Sequence, residues 1–203
     1  MRRTRLVPFL LLALLPLVTA CAPRAIRGGP GTENPSIDEA ALSVGLDRTD
    51  VQYLVDQNLS PLFNSKFWTD KVQTARKEPL VAIWPIQNAT SQHIDDQLLQ
   101  VLSHVETSLV NSGQVAVVDR ARQAALAREI GIQQGEIYDP LAARRLGRQL
   151  GAEYFVTGKM TSVEEKLGKT KRIAYTLFLQ IIEIETGLIR FQHEAERTKG
   201  LQG

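Results

Sequence analysis

Apolar residues along this chain recur with two periods, one of about 3.6 residues and one of two residues. The longer period, together with polar caps such as Asp119 and Asp139, predicts helices over 51–59, 94–111, 119–129 and 139–150. Short apolar runs and strict alternation predict strands over 80–86, 115–118, 153–160, 173–184 and 188–195. This order predicts a single α/β domain whose mixed sheet has an early β-α-β unit and a late antiparallel meander.

Smaller features add detail to this outline. Asp47 or Thr49 is expected to cap the first helix, and Pro61 is expected to interrupt it. Residues 164–172 are charged and predict a solvated loop, and residues 196–203 predict a frayed tail. The third helix is expected to carry a stripe of small residues (Ala121, Ala124, Ala125, Leu126), and the fourth an apolar face (Leu141, Ala142, Leu146, Leu150). In the long strand, four apolar residues are expected to point to the same side (Tyr175, Leu177, Leu179, Ile181). The N-terminal arm is expected to pack onto the main body through Leu62, Phe63, Phe67 and Trp68.

The first 20 residues have the layout of a secretory signal peptide. Three arginines precede an apolar run, Leu6–Val18, which is too short to span a bilayer as a helix. Val18-Thr19-Ala20-Cys21 resembles the bacterial lipobox, which predicts cleavage between Ala20 and Cys21 and lipidation of Cys21. The alternative is an ordinary signal peptide with an incidental cysteine. Residues 21–46 then form the lipidated cysteine and a flexible linker, and residues 47–203 the globular domain.

Composition narrows the range of functions. The signal peptide carries three of the 24 basic residues, so the mature chain has 21 basic against 22 acidic residues. That balance argues against a nucleic-acid partner. Cys21 is the only cysteine, and once it is acylated neither a disulfide nor thiol catalysis is possible.

No catalytic constellation stands out in the sequence. His93, His104 and His193 are the only histidines, and no cysteine or tight carboxylate cluster completes a metal site around them. The sequence therefore predicts a protein that is not an enzyme and that uses no metal or cofactor. Arg144, Arg145 and Arg148 share one face of the fourth predicted helix, either as a binding surface for an acidic partner or as an ordinary solvated face.

Several segments in order resemble the LpoB family of lipoprotein activators of penicillin-binding proteins. They are the lipobox, the linker, Pro85-Ile86-x-Asn88-x-Thr90 after a strand, Val118-Asp119-Arg120, and Gly151-Ala152-Glu153-Tyr154. The resemblance covers about residues 47–195. It implies a fold similar to the N-terminal domain of TolB, anchoring at the periplasmic face of the outer membrane, and activation of a bifunctional penicillin-binding protein, which is a peptidoglycan synthase.

The linker departs from the family pattern, since enterobacterial members have a long proline-rich tether. Here residues 22–46 reach at most about 80–90 Å when fully stretched, and about 25–30 Å as a flexible coil. Either the partner projects outward, or residues 37–68 partly unpack, or the partner differs. A second hypothesis for the function is a structural or secretion-related lipoprotein that uses the same fold to assemble with other envelope proteins. An enzyme acting on a small molecule is a third.

Overall fold

A five-stranded sheet organises the part of the chain that the computed structural model describes, which comprises residues 31–32, 34–36, 39–133 and 139–201. The strands are β1 (Leu80–Ala89), β2 (Ala116–Val117), β3 (Tyr154–Leu167), β4 (Thr170–Glu183) and β5 (Ile189–Leu201). They lie in the order β2-β1-β3-β4-β5. β1 is parallel to β2 and to β3, whereas β4 pairs antiparallel with β3 on one side and with β5 on the other. The predicted mixed sheet, with its β-α-β unit and meander, is confirmed.

Helices cover both faces of this sheet. They are α1 (Arg48–Phe63), α2 (Asp95–Asn111), α3 (Arg120–Glu129) and α4 (Pro140–Leu150), with a π-helical turn at Trp68–Val72. α1 and α2 pack in the larger apolar core, which includes Leu54, Val101 and Leu177. α4 packs with the opposite face, around Trp84 and Phe155. On β4, alternate residues from Ile173 to Ile181 are buried in the larger core, as predicted.

The first helix continues past the proline that was expected to interrupt it, so that prediction was wrong. Asp47 caps α1, and its side chain accepts a hydrogen bond from Asp50 N–H at 3.0 Å. Pro61 lies two residues before the end of the helix. Its missing N–H removes one backbone hydrogen bond, and Asn64 stabilises the last turn by donating to Ser60 O from both its backbone and its side chain. The arm is held to the core by Leu62 and Trp68, both buried, as predicted.

Residues 164–172 form a hairpin and not the predicted loop. β3 runs to Leu167, Gly168 adopts a φ of 59°, and β4 begins at Thr170. The charged residues that suggested a loop pair across the two strands, with Lys171 Nζ 2.9 Å from Glu164 Oε1 and Arg172 bonded to Glu165. Such pairing stabilises a solvated ribbon that lacks hydrophobic alternation.

The C-terminal residues 196–201 also form a strand, so the predicted frayed tail was wrong. β5 pairs with β4 as far as Leu201 opposite Lys171. Lys199 in this segment is only 7 % exposed. Burial of a charged side chain requires partners, and the partners come from the beginning of the domain.

The stripe predicted on α3 is wrong for its three alanines and right for Leu126, which packs against the core. Ala121, Ala124 and Ala125 are exposed, and Gln123 is the buried residue of the helix. Gln123 Nε2 donates to Ile83 O at 2.9 Å. The buried face follows an i, i+3, i+4 pattern that starts at Gln123. Because a glutamine is polar, this face is not recognised from the spacing of apolar residues alone.

The chain divides into two units, residues 1–37 and 38–203. Within the second unit, the linker residues nearest the predicted domain start already contact the fold. Val44 O accepts a hydrogen bond from Tyr175 Oη at 3.0 Å, and Leu46 is 6 % exposed. Ala20 and Cys21 lie outside the described residues. Among the described residues, no helix is long and apolar enough to cross a membrane.

Candidate partner-binding surface

The fourth helix has the boundaries that its sequence predicts. Asp139 Oδ1 accepts a hydrogen bond from Leu141 N–H at 3.0 Å, Pro140 occupies the first turn, and Gly151 ends the helix with a φ of 70°. Gly147 lies so close to the sheet that a Cβ there would be 2.5 Å from Ile184 Cδ1. This approach determines which face of α4 is buried.

One residue of the predicted apolar face is not buried. Ala142, Leu146 and Leu150 face the core as predicted, whereas Leu141 is 70 % exposed. Leu141 is six residues before Gly147, which at 100° per residue places it about 120° away around the helix. The close approach at Gly147 therefore turns Leu141 towards solvent.

Arg144, Arg145 and Arg148, which we call the arginine surface, lie on the other side of α4. Arg144 Nε donates to Ile184 O at 3.1 Å, and its Nη2 donates to Glu185 O at 2.8 Å. Arg148 Nη2 is 3.5 Å from Glu185 O. Arg144 therefore holds the turn between β4 and β5, while Arg145 and Arg148 are exposed. Binding of a partner to the arginine surface stays a prediction.

The arginine surface lies at the opposite end of the sheet from the entry point of the chain, by which we mean Val44 and Gly45, where the linker joins the domain. The β4–β5 turn, which Arg144 contacts, follows the end of β4 at Glu183. Val44 contacts Tyr175, near the start of β4. Eight residues of strand separate Tyr175 from Glu183, a distance of about 27 Å. A partner bound at the arginine surface would lie away from the point where the linker joins the domain.

An ion cluster, absent from the sequence predictions, joins that entry point to β5. We use this name for Asp47, Asp50, Arg197 and Lys199. Its Asp50 and Lys199 are buried, whereas its Asp47 and Arg197 are partly exposed. Lys199 Nζ donates to Asp47 Oδ2 at 2.6 Å, to Asp50 Oδ2 at 2.7 Å and to Gly45 O at 2.8 Å. Arg197 Nε donates to Asp50 Oδ1 at 3.1 Å. The cluster fixes the first turn of α1 to the last strand.

The pKa values of two members of the ion cluster reflect this pairing. Burial acts to raise the pKa of Asp47, but the hydrogen bonds from Lys199 and from Asp50 N–H outweigh burial and lower it. Burial acts to lower the pKa of Lys199, but its hydrogen bonds to Asp47 and Asp50 raise it. Both groups are therefore held in their charged forms.

The three histidines lie apart in the structure. His104 Nε2 is 3.7 Å from Asp56 Oδ1, and His193 Nδ1 is 3.3 Å from Asn58 Oδ1. His93 is exposed. In the described ranges, no group of three or more His, Cys, Asp or Glu residues is placed to hold a metal ion.

Two of the clefts on the side of the sheet that carries α3 and α4 are lined in part by these helices. The larger has a volume of about 730 Å³ and is lined by α3 and by apolar residues that include Ile83, Ile132 and Leu146. The smaller, about 400 Å³, is lined by residues of the sheet that include Lys159 and Phe178. Neither cleft is lined by a histidine.

A family model described as the peptidoglycan-synthase activator LpoB matches residues 50–196. The matched range runs from the first turn of α1 into β5, so it includes every described strand and helix of the domain at least in part. No curated protein sequence matches the chain.

Solved structures of LpoB have a similar fold. The LpoB C-terminal domain from Escherichia coli has a TM-score of 0.56 at 15 % identity, with 73 % of this chain and 98 % of that chain covered. The same domain from Salmonella enterica has a TM-score of 0.55 at 13 % identity, with the same coverage. The NMR structure of E. coli LpoB has a TM-score of 0.52 at 15 % identity, with 98 % of this chain and 96 % of that chain covered. The mixed α/β fold matches these domains, whereas the likeness to TolB stays a prediction.

Proposed function

The chain belongs to the LpoB family, and from this premise we propose that it is an outer-membrane lipoprotein that binds and activates a bifunctional penicillin-binding protein. Membership of the family implies a role as an activator of peptidoglycan synthesis. The observation that carries the proposal is the family match, since it extends over 50–196 and thus over nearly the whole described domain. On this proposal, the protein acts by binding and has no catalytic activity of its own.

The proposed anchor is Cys21, acylated after cleavage behind Ala20. The lipobox and the basic and apolar segments before it support this assignment. Several acyl chains, at about 0.8 kcal/mol per buried methylene, hold a protein on a membrane essentially permanently. The protein would then face the periplasm from the outer membrane.

We propose the arginine surface as the binding site for the synthase. Arg145 and Arg148 are exposed, and Arg144 positions the neighbouring turn, so the surface is both accessible and rigidly supported. It lies at the end of the sheet away from the linker, where an acidic patch on a partner has access to it. Guanidinium groups suit such a patch because they form paired hydrogen bonds with carboxylates.

Binding assays with charge-reversal variants test this site. The mature lipoprotein in detergent is titrated with the bifunctional penicillin-binding proteins of the same bacterium. We expect Arg145→Glu/Arg148→Glu to weaken binding at least tenfold, because like charges across an interface are strongly unfavourable. Lys166→Glu/Lys169→Glu is the matched control, since it changes the net charge equally at the other end of the sheet. Equal affinity for both variants would contradict the proposed site.

A pull-down separates this function from the second hypothesis. The mature protein should recover a penicillin-binding protein from solubilised envelopes, and the arginine variant should not. Recovery of a secretion or flagellar component without any penicillin-binding protein would support a structural or secretion-related lipoprotein and contradict the activator.

A further inference from the structure

The tip of the β3–β4 hairpin, residues 164–172, extends beyond β1, and β5 accompanies it as far as Leu201 opposite Lys171. β1 pairs with β3 only as far as Ala89 opposite Thr161. The six residues of β3 beyond this point add about 20 Å of strand that β1 does not accompany. This hairpin tip carries four basic residues, Lys166, Lys169, Lys171 and Arg172, and two acidic ones, Glu164 and Glu165.

Two lysines at the hairpin tip repel each other across the two strands. Lys166 lies directly opposite Lys171 in the register of β3 and β4. Like charges in this arrangement destabilise a sheet. Lys171 is paired with Glu164, at 2.9 Å, on the same face of the ribbon. An anionic surface in front of the tip would remove the repulsion between the two lysines.

The linker joins the domain close to this tip. Val44 contacts Tyr175, and Gly45 O accepts a hydrogen bond from Lys199, two residues before the end of β5 at Leu201. From Tyr175 to Thr170, the first residue of β4, the strand extends about 17 Å. If residues 22–43 form the flexible coil that their composition predicts, they span about 25 Å. The tip is therefore within reach of the membrane that holds Cys21, without any stretching of the linker.

We propose that the hairpin tip rests on the anionic phospholipid surface of the membrane in which the protein is anchored. The inference depends on the lipid anchor at Cys21 proposed above. A single weak electrostatic contact suffices, because the linker holds the tip at an effective concentration in the millimolar range. The arginine surface, also basic, is at the far end of β4 and would point away from the membrane towards the cell wall.

Labelling of single cysteines in the full lipoprotein tests this orientation. Because acylation occupies Cys21, an introduced cysteine is the only free thiol. Thr170→Cys places a polarity-sensitive fluorophore at the hairpin tip, and Thr186→Cys places it in the β4–β5 turn; both positions are exposed. The protein is reconstituted into vesicles of phosphatidylcholine with or without phosphatidylglycerol, and quenching by neutral acrylamide is measured.

We expect the label at 170 to be protected severalfold against acrylamide in vesicles with phosphatidylglycerol, and to lose this protection at high salt. The label at 186 should remain fully accessible. Lys166→Gln and Lys169→Gln should each lower the membrane-contact equilibrium about fivefold, the amount expected for one basic side chain at an anionic surface.

Equal accessibility of the two labels in anchored protein would refute the inference and leave the anchor intact. Protection at 186 alone would refute it and also contradict the accessibility of the arginine surface. A protein that carries no acyl chain on Cys21 and does not float with the vesicles would refute the anchor itself.

Discussion

Replacement of Lys199 by methionine removes the cation at the centre of the ion cluster and keeps most of its aliphatic stem. Lys199 is 7 % exposed and Asp50 3 % exposed, so the pair is buried. In the variant, Asp50 keeps Arg197 at 3.1 Å and the N–H of Asp47 at 3.1 Å. Its Oδ2 loses the ammonium at 2.7 Å.

The expected loss follows from the burial of the remaining carboxylate. Removal of one partner of a buried ion pair costs about 3–5 kcal/mol, because an uncompensated charge is left behind. Since Arg197 still pairs with Asp50, we expect a loss near the lower limit, about 3 kcal/mol. For a domain of this size, that loss corresponds to a decrease in Tm of roughly 6–12 °C.

Urea unfolding followed by circular dichroism measures this loss, with Lys171→Met as the matched control. Lys171 is on the neighbouring strand β4, and it also pairs with a carboxylate, that of Glu164. The side chains of this pair are 34 % exposed for Lys171 and 50 % exposed for Glu164, and exposed pairs contribute at most about 1 kcal/mol. If Lys199→Met destabilises the protein no more than Lys171→Met does, the ion cluster does not join α1 to β5 in the way described above.

Three further predictions follow from the same contacts. The pKa of Asp47 is lowered from its ordinary value of 3.8, and that of Lys199 is raised from 10.5. The loss of unfolding free energy in Lys199→Met should therefore be constant between pH 3.8 and pH 10.5, and should shrink below and above this range. Urea unfolding measured across pH checks this. Gly158→Ala should cost about 3 kcal/mol in urea unfolding, because a Cβ there would overlap a backbone carbonyl oxygen of β4. Arg144→Ala should cost about 1–2 kcal/mol in thermal unfolding, since two hydrogen bonds to the β4–β5 turn are lost, whereas Arg145→Ala should change stability by less than about 0.5 kcal/mol.

The sequence predicted the elements whose hydrophobic pattern is regular. β4 shows strict alternation, and the structure buries the predicted face. α4 has a capping aspartate, a proline in the first turn and a terminal glycine, and the structure confirms both ends. In these elements, local side-chain chemistry and burial favour the same conformation, so the pattern is sufficient.

Two of the failures, the loop at 164–172 and the frayed tail, occur where charged residues form part of the sheet. Glu164 and Lys171 stabilise a strand pair that has no hydrophobic signal, and their pairing is visible only once the register is known. Asp47 and Lys199 are 152 positions apart, and nothing local connects them. Residues 196–203 were predicted to fray, and the charged residues among them give no hydrophobic signal for a strand. Phe191, His193 and Ala195 alternate with exposed residues inside the predicted strand, and beyond it the alternation continues with the charged residues Arg197 and Lys199.

The domain has two chemically distinct ends on this account. At one end, the linker, the ion cluster and the hairpin tip lie close together; at the other, the arginine surface supports the β4–β5 turn. With Cys21 lipidated as proposed, a short linker would favour one end of the domain towards the membrane and leave the other for a partner. The proposed activator would then present its binding surface on a short linker.

Glycan polymerisation by the partner synthase tests the central claim most directly. The mature lipoprotein is added to the purified bifunctional penicillin-binding protein, and consumption of its lipid-linked substrate is followed over time. The account predicts a clear increase in the polymerisation rate with the wild-type protein and with Lys166→Glu/Lys169→Glu, and little increase with Arg145→Glu/Arg148→Glu. An unchanged rate with folded, wild-type lipoprotein at saturating concentration would contradict the assignment as an activator.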